Sequence, residues 1–332
     1  MKYSSFFQKL LFPFIIMQLI VVVFLGYKIL HKKNNVLGSS IKVNTINRNE
    51  IVYTPDQKLR YFFEPVPKST QTDKRNWMEK EVKYTINQAG FNDRFDYPIV
   101  KPPKTIRIMT LGDSFTFGVY VNTEDNWTEL LEDKLNSIKN ICPNTDHFEV
   151  INLGVGGYDI EYAAKRYINR GKVYNPNIIL WFLKYDDINA INEWFFPLER
   201  KISEEMKLDR SSEEYVVSKD GVPYPSWVKG FEEFHKKYGM NSILSYEKNV
   251  LNKFNENYQG NLAIFTSDNS DSETKNEIKS FSRLSPNGHY FEIPGLSSDE
   301  TFPDNHPNQK GHKVISDAIL NYMVKNPDIF CH

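Results

Sequence analysis

The sequence contains very little cysteine: Cys142 and Cys331 are the two cysteines among 332 residues. Two cysteines are too few for a disulfide framework, and neither stands in a spacing typical of a zinc site. One bridge between them would suit an oxidising compartment, but the sequence does not require it. The formal net charge is only −1, so no basic excess indicates a nucleic-acid partner. The glycine clusters lack phosphate-loop and dinucleotide spacing, which argues against a nucleotide binder.

The longest apolar run lies near the N-terminus, where no charged residue occurs from Leu10 to Tyr27. Crossing a bilayer takes roughly 20 apolar residues, with a lower limit of about 17, so the run is long enough. A cleaved signal peptide would have a shorter apolar region followed by a small-x-small site, whereas a lysine-rich stretch follows here. The pattern favours a membrane anchor over residues 1–33, with the lipid bilayer as its partner. A cleaved signal and a buried core helix are the alternatives.

Residues 34–100 connect this run to the regular part of the chain. Their first part is polar and rich in asparagine, which indicates a stalk. Their second part contains short apolar pieces, such as residues 82–86, bounded by proline and glycine. These pieces predict a leader segment of strands or loops packed on the main domain. Pro102 and Pro103 mark the start of that domain, which we expect over residues 101–330.

In the main domain, apolar runs alternate with helical patterns. Strands are predicted at 105–111, 148–152, 177–183, 261–266 and 289–293. Helices are predicted at 126–139, 160–174 and 309–324. Alternation of this kind predicts a parallel sheet covered by helices on both faces. The chemistry of such folds lies beyond the carboxyl ends of the strands, where this sequence places its polar and glycine-rich motifs.

A long insert, about residues 187–260, separates the third predicted strand from the fourth. Asp220-Gly221 lies between two β-prone pieces and predicts a hairpin. Residues 231–257 are predicted to be mostly helical, with a break near Gly239. An insert at this end of a sheet either shapes the substrate site or is a plain surface excursion.

Ser114 follows the first predicted strand directly, within residues 112–118, Gly-Asp-Ser-Phe-Thr-Phe-Gly. Gly112 and Gly118 permit tight turning on either side of it. A hydroxyl at such a turn is exposed at the sheet edge next to backbone N–H groups, which suits a nucleophile and an oxyanion hole. By itself the motif is equally consistent with Asp113 and Ser114 capping the next helix.

The segment 302–312 favours the nucleophile. Acyl transfer by serine needs a base to take the proton and an acid to orient that base, and Asp304 and His306 offer both on one loop. His312 falls in the first turns of the last helix, where packing or capping is expected. No comparable motif surrounds the other histidines, which are His31, His147, His235, His289 and His332.

Together these residues resemble the SGNH/GDSL hydrolase superfamily. Residues 112–118 match its first block, Gly-Asp-Ser-x-Thr-x-Gly. Residues 152–157, Asn-Leu-Gly-Val-Gly-Gly, are similar to its second block, and residues 304–308 with Gly311-His312 to its last. The leader at 86–91 is similar to a segment that precedes the first block in many bacterial members. The resemblance covers roughly residues 80–325.

The resemblance implies a flavodoxin-like, three-layer α/β/α fold and ester chemistry on the acyl groups of carbohydrates or lipids. It implies Ser114 as nucleophile, His306 as general base and Asp304 as the residue that orients the base. The N–H groups of Ser114 and Gly157 would bind the oxyanion. No metal and no organic cofactor is implied, and an acylated carbohydrate or lipid is the expected substrate.

The third block departs from the family pattern. The family usually has Gly-x-Asn-Asp, and the Asn side chain completes the oxyanion hole; here that position holds Asp186. An ionised carboxylate cannot donate a hydrogen bond, and losing such a donor costs about 10²–10³ in rate. Three interpretations are open. Asp186 is protonated in a buried site and donates, Tyr185 or Lys184 supplies the donor instead, or the protein binds ligand without turnover.

A smaller departure concerns the acid of the triad. Many family members place it three residues before the histidine, where this chain has Pro303, whereas Asp304 stands two residues before His306. We expect Asp304 to orient the base, with Asp299 as the alternative.

The sequence therefore predicts a membrane-anchored serine esterase with an extracytoplasmic domain. An O-acyltransferase to a cell-surface polysaccharide and a non-catalytic binding protein are the alternatives.

Overall fold

The structure is a computed structural model that describes residues 51–53, 59–75, 77–207 and 225–331. The chain divides into two units, Met1–Lys42 and Val43–His332, and the described residues all belong to the second. The predicted anchor and the predicted hairpin around Asp220-Gly221 lie outside the described residues, as does most of the stalk. Among the helices that are described, none combines the length and the apolar character needed to cross a bilayer.

The segment before the main domain, for which strands or loops were expected, forms two short antiparallel strand pairs. The pairs are β1 with β2, Ile51–Tyr53 and Phe63–Pro65, and β3 with β4, Ser69–Asp73 and Val82–Ile86. After β4 the chain turns at Asn87, whose side-chain oxygen accepts the N–H groups of Ala89 and Phe91. Phe91 is fully buried in the core of the main domain, so the leader is packed on that domain.

A five-stranded parallel sheet forms the centre of the described part of the chain. Its strands are β5 Thr105–Leu111, β6 His147–Asn152, β7 Ile178–Phe182, β8 Asn261–Ser267 and β9 Gly288–Ile293. The spatial order is β6-β5-β7-β8-β9 with parallel pairing throughout. All five predicted strands are present, within one or two residues at their ends. The second-first-third-fourth-fifth order is the flavodoxin-like doubly wound order.

Helices cover both faces of this sheet. They are α1 Ser114–Phe117, α2 Trp127–Ser137, α3 Ile160–Arg166, α4 Tyr185–Asn189, α5 Asn192–Glu205, α6 Pro225–Tyr238, α7 Met240–Asn257, α8 Ser272–Ser282, α9 Gln309–Lys325 and α10 Pro327–Phe330. The predicted helices at 126–139 and 309–324 correspond to α2 and α9. The predicted helix at 160–174 is α-helical only as far as Arg166 and continues as a π turn and a 3₁₀ turn to Tyr174.

The strands read as continuous apolar runs because both of their faces are buried. On one face, Ile108 and Leu180 pack in a core with residues of α2 and α9. On the other face, Met109 and Trp181 pack with residues of α3, α7 and α8. Successive residues of a strand point to opposite faces, so each strand contributes to both cores. The result is the predicted three-layer α/β/α arrangement.

The described part of the insert between β7 and β8 is mostly helical. The expected helical stretch with a break near Gly239 is present as α6 and α7, and Gly239 between them has φ +72°. Helix α5 was not predicted. Its Phe195 packs against Phe234 of α6 and Ile243 of α7 in a separate aromatic-rich core, so the described part of the insert has its own apolar interior.

Cys142 and Cys331 form a disulfide that spans 189 residues of sequence. Cys142 lies in the connection from α2 to β6, and Cys331 follows α10 at the end of the described chain. The bridge that the sequence left open is therefore present, and it fixes the C-terminal end of the chain to that connection.

Candidate active site

The turn that carries Ser114 begins where β5 ends. Gly112 has φ +148°, and a Cβ built there would lie 2.3 Å from Thr116 Oγ1 and 3.0 Å from the carbonyl oxygen of Phe182. Only glycine fits at this position, because any side chain would clash with these two atoms. Asp113 then caps α1 by accepting the N–H of Phe115 at 2.9 Å. Capping was one of the two roles that the sequence motif left open, and Asp113 has it. Capping by Asp113 leaves Ser114 at the first helical position.

Ser114, His306 and Asp304 lie together in a connected row. His306 Nε2 is 2.9 Å from Ser114 Oγ, and His306 Nδ1 is 2.9 Å from Asp304 Oδ2. Both distances are those of good hydrogen bonds. The order of hydroxyl, imidazole and carboxylate is the one that a base-activated serine requires. The three predicted catalytic residues are thus brought into contact across 192 residues of sequence.

The loop that carries Asp304 and His306 is held by its own backbone. The N–H of Phe302 donates to the carbonyl of His306 at 2.8 Å, and Asn305 has φ +67° in the turn between them. Asp304 is nearly buried, with 6% of its side chain exposed. Burial acts to raise the pKa of Asp304, but the hydrogen bond and the charge of His306 outweigh it and lower the pKa below its ordinary value. Asp304 is therefore ionised beside the imidazole.

Asp299, the alternative acid, has other partners. Its carboxylate accepts the Ser297 hydroxyl at 2.6 Å and pairs with Lys310 Nζ at 3.5 Å, and its side chain is 70% exposed. The aspartate that contacts His306 is Asp304.

The second block lies against α1 and Ser114. A Cβ built on Gly154 would be 2.5 Å from the N–H nitrogen of Phe117, and one built on Gly156 would be 3.8 Å from Ser114 Cβ. Gly157 has φ +78°, and a Cβ there would meet nothing within 4 Å. Gly154 therefore lets the block approach α1, whereas a side chain at Gly157 would point into open space.

The third block differs from expectation in the placement of its acids. Asp186 is 70% exposed, with Lys184 Nζ at 3.9 Å, so the interpretation that places Asp186 in a buried site is wrong. Tyr185 is half exposed. Asp187 is the buried acid: it accepts the Lys184 N–H at 2.7 Å, and burial raises its pKa well above the usual range.

Lys184 is the residue of the third block that reaches the turn carrying Ser114. Its Nζ lies 2.8 Å from Asp113 Oδ2 and 4.1 Å from the centroid of the Phe115 ring. Burial acts to lower the pKa of Lys184, but nearby carboxylates, Asp113 foremost, raise it above its ordinary value. The amine is therefore a charged ammonium next to the first turn of α1.

Asn92 of the leader makes hydrogen bonds to residues that follow β4 and lie next to the site. The Asn92 side chain donates to the carbonyl of Phe117 at 2.8 Å and accepts the Thr123 hydroxyl, and its carbonyl accepts the Asn152 side chain at 3.1 Å. One leader residue thus joins the end of α1 to the end of β6. The sequence pattern pointed to the leader as a whole but did not single out Asn92.

An aromatic wall, defined here as Trp77, Tyr120 and Phe302, stands next to His306. The ring centroids of Tyr120 and His306 are 5.1 Å apart, and Trp77 contacts both Tyr120 and Phe302. These residues lie in three separate segments of the chain, and no spacing in the sequence connects them. They could therefore not be predicted from the sequence.

His312 is fully buried, and its Nδ1 accepts the backbone N–H of Trp127 at 3.2 Å. Burial, assisted by the charge of His306, lowers its pKa from 6.5 to about 3, so His312 is a neutral packing residue, as expected. No cluster of His, Cys, Asp or Glu within the described ranges is suited to hold a metal ion.

Comparisons with known proteins find likeness in structure only. No family model matches the chain, and no curated protein matches it in sequence. Similar solved structures include the psychrotrophic esterase EstA from Pseudoalteromonas sp., at 19% identity and TM-score 0.38, covering 67% of this chain and 98% of that one. A carbohydrate esterase of family 3 from Talaromyces cellulolyticus has 15% identity and TM-score 0.38, covering 67% and 99%.

A further match, described as a lipolytic protein of the G-D-S-L family from Desulfitobacterium hafniense, has 15% identity and TM-score 0.32, covering 65% and 98%. The solved structures similar to this chain thus include one that is described as a member of the family that its sequence blocks resemble. Identities and TM-scores at this level transfer no activity to this chain.

Proposed function

We propose that this chain is a serine esterase of the SGNH/GDSL type, which removes ester-linked acyl groups from carbohydrate or lipid substrates. The observation that supports the proposal most directly is the pair of 2.9 Å contacts that His306 makes with Ser114 Oγ and Asp304 Oδ2. The first, second and last sequence blocks support it independently, because residues from all three lie at one edge of the sheet.

The chemistry follows from this row of groups. Ser114 Oγ attacks the ester carbonyl carbon while its proton passes to His306 Nε2, and Asp304 stabilises the imidazolium. The tetrahedral intermediate then collapses: the bond to the alcohol oxygen breaks, and the alcohol leaves with the proton from His306. Water next gives a proton to His306 and attacks the acyl-serine, which releases the acid and returns the proton to Ser114.

The developing negative charge on the carbonyl oxygen needs donors. We assign the N–H groups of Ser114 and Gly157 to this role, because Ser114 is the first residue of α1 and a Cβ built on Gly156, the neighbour of Gly157, would lie 3.8 Å from Ser114 Cβ. Preorganised donors of this kind contribute about 10²–10³ in rate each. The exposed carboxylate of Asp186 supplies no donor in place of the family's asparagine.

Asp186 is the specific observation that favours a second candidate, a non-catalytic binding protein. A protein of that kind would bind acylated ligand at the same site without forming an acyl-enzyme. The two candidates differ in one measurable property, which is the reactivity of Ser114.

The test is covalent labelling by a fluorophosphonate, which forms an Oγ–phosphorus bond as fluoride leaves. We expect wild type to be labelled at a single site and Ser114→Ala not to be labelled. Ser137→Ala, which removes an exposed hydroxyl in the last turn of α2, is the matched control and should label normally. Wild type that remains unlabelled would refute the esterase, and labelling that persists in Ser114→Ala would refute the assignment of the nucleophile.

We also propose that the catalytic domain is extracytoplasmic and is held to the bilayer by residues 1–33. The apolar run at Leu10–Tyr27 supports the anchor, and the Cys142–Cys331 disulfide suits an oxidising compartment. Protease treatment of intact cells or spheroplasts would test this. Degradation of the domain without lysis is expected, and complete protection would contradict the proposal.

A further inference from the structure

One carboxylate oxygen at the site has two partners with different consequences for the nucleophile. Asp113 Oδ1 caps α1, whereas Asp113 Oδ2 accepts the Ser114 hydroxyl at 3.2 Å and contacts Lys184 Nζ at 2.8 Å. The same Ser114 oxygen lies 2.9 Å from His306 Nε2. Asp113 and His306 are therefore alternative acceptors for a single hydroxyl proton.

This competition matters for the reaction. A hydroxyl that donates to Asp113 is not donating to His306, so the base cannot take its proton. An unneutralised carboxylate at 3.2 Å also opposes the negative charge that gathers on the serine oxygen and on the oxyanion. Without a partner for its charge, Asp113 would consequently slow the transfer of the Ser114 proton to His306.

Lys184 is positioned to remove this obstacle. Asp187 anchors its backbone N–H at 2.7 Å, the Phe115 ring lies beneath its ammonium, and only 19% of its side chain is exposed. A largely buried ion pair of this geometry interacts more strongly than a surface pair, because water screens it less. The ammonium also stands in the third block, at the Gly position of the family's Gly-x-Asn-Asp pattern.

We propose that Lys184 is a positioning residue that acts through Asp113. By pairing with Asp113 Oδ2 it leaves the Ser114 hydroxyl free to donate to His306, and it balances the negative charge beside the oxyanion. The inference rests on the proposed function and extends it, since it assigns a catalytic purpose to a departure from the family pattern. It also explains how a site with Asp186 in the amide position avoids an excess of negative charge.

The test compares rates of fluorophosphonate labelling and of ester hydrolysis in a double-mutant cycle. Lys184→Met leaves Asp113 without its cation, and we expect labelling and kcat to fall roughly 10- to 100-fold with little change in KM. Lys184→Arg, which keeps the charge, should lose less. Lys201→Met, which breaks an exposed pair with Glu205 on α5, is the matched control and should label like wild type.

The decisive variant is Asp113→Asn combined with Lys184→Met. Asparagine is as good a helix cap as aspartate, so α1 is retained while both charges are removed. If Lys184 acts through Asp113, adding Lys184→Met to Asp113→Asn costs less than about threefold in rate. A loss of tenfold or more on that background, or a Lys184→Met single variant within twofold of wild type, would overturn the inference.

These outcomes are separable from a failure of the esterase proposal. Unlabelled wild type refutes the proposed function and this inference together. Labelled wild type with an unaffected Lys184→Met variant refutes the inference alone. If Lys184→Met does not fold, as judged by its thermal melt, the comparison of the double variant with Asp113→Asn still decides, because neither of these two carries an unpaired Asp113 carboxylate.

Discussion

His306 Nε2 lies 2.9 Å from Ser114 Oγ, although 192 residues separate the two in sequence. Ser114 stands just past the carboxyl end of β5, and His306 stands in the loop that precedes α9. Parallel strands all end at the same edge of the sheet, so the fold brings loops from distant parts of the chain to one place.

Asp304→Asn should lower kcat for ester hydrolysis by about 10³–10⁴, because an amide no longer holds His306 in the tautomer that accepts a proton from serine. Steady-state kinetics with a chromogenic acetyl ester would measure the loss. Asp299→Asn is the comparison, since Asp299 contacts Ser297 and Lys310 instead. Equal losses in the two variants would contradict the assignment of Asp304.

Asp186→Asn should raise kcat, by about 3- to 10-fold, because the change removes an exposed negative charge and adds a side-chain N–H that can donate. The gain is smaller than the full value of an oxyanion donor because the side chain is 70% exposed. Asp146→Asn, at an equally exposed carboxylate paired with Lys104, is the control. A fall in kcat would mean that the carboxylate of Asp186 itself takes part.

His312→Asn should remove a pH-dependent part of the stability. Burial lowers the pKa of His312 from 6.5 to about 3, so below pH 6.5 the unfolded chain binds a proton that the folded chain refuses. This contribution is complete above about pH 6.5 and is lost as the pH falls toward 3, at about 1.4 kcal/mol per pH unit. The asparagine oxygen can still accept the Trp127 N–H.

The measurement is urea unfolding of both proteins at several pH values between 4.5 and 7. Burial raises the pKa of Glu132 and of Asp159 to about 7, and their effect on stability has the opposite sign. Both acids are present in both proteins, so the difference between wild type and His312→Asn isolates the histidine. A difference that does not change with pH would show that His312 is not buried in its neutral form.

Reduction of the Cys142–Cys331 disulfide should destabilise the fold by about 2–4 kcal/mol, because the bridge closes a long loop and restricts the unfolded chain. Thermal melts with and without reductant would show the shift. The Cys142→Ser/Cys331→Ser variant should melt like reduced wild type and ignore reductant. Two titratable thiols in the native, oxidised protein would contradict the bridge.

Much of the fold could be predicted because local patterns carry it. The five strands of the sheet are apolar runs bounded by turn residues, and they were found within one or two residues of their ends. Helix α5 was not predicted, because the packing of its Trp194, Phe195 and Phe196 against the rest of the insert is a long-range property. The anchor and the hairpin lie outside the described residues and remain predictions.

The sequence by itself determined the order of the blocks, the parallel α/β architecture and the choice of Ser114 and His306 as the predicted nucleophile and base, because each is written in a short segment with fixed spacing. Only the tertiary structure decided which acid contacts His306, where Asp186 points, and that Lys184 reaches Asp113. These depend on how separate segments meet at the sheet edge, and distances across the fold have no counterpart in sequence spacing. The third block is an example. Its sequence shows that Asp186 replaces an asparagine donor, whereas only the structure shows that the ammonium of Lys184 contacts Asp113.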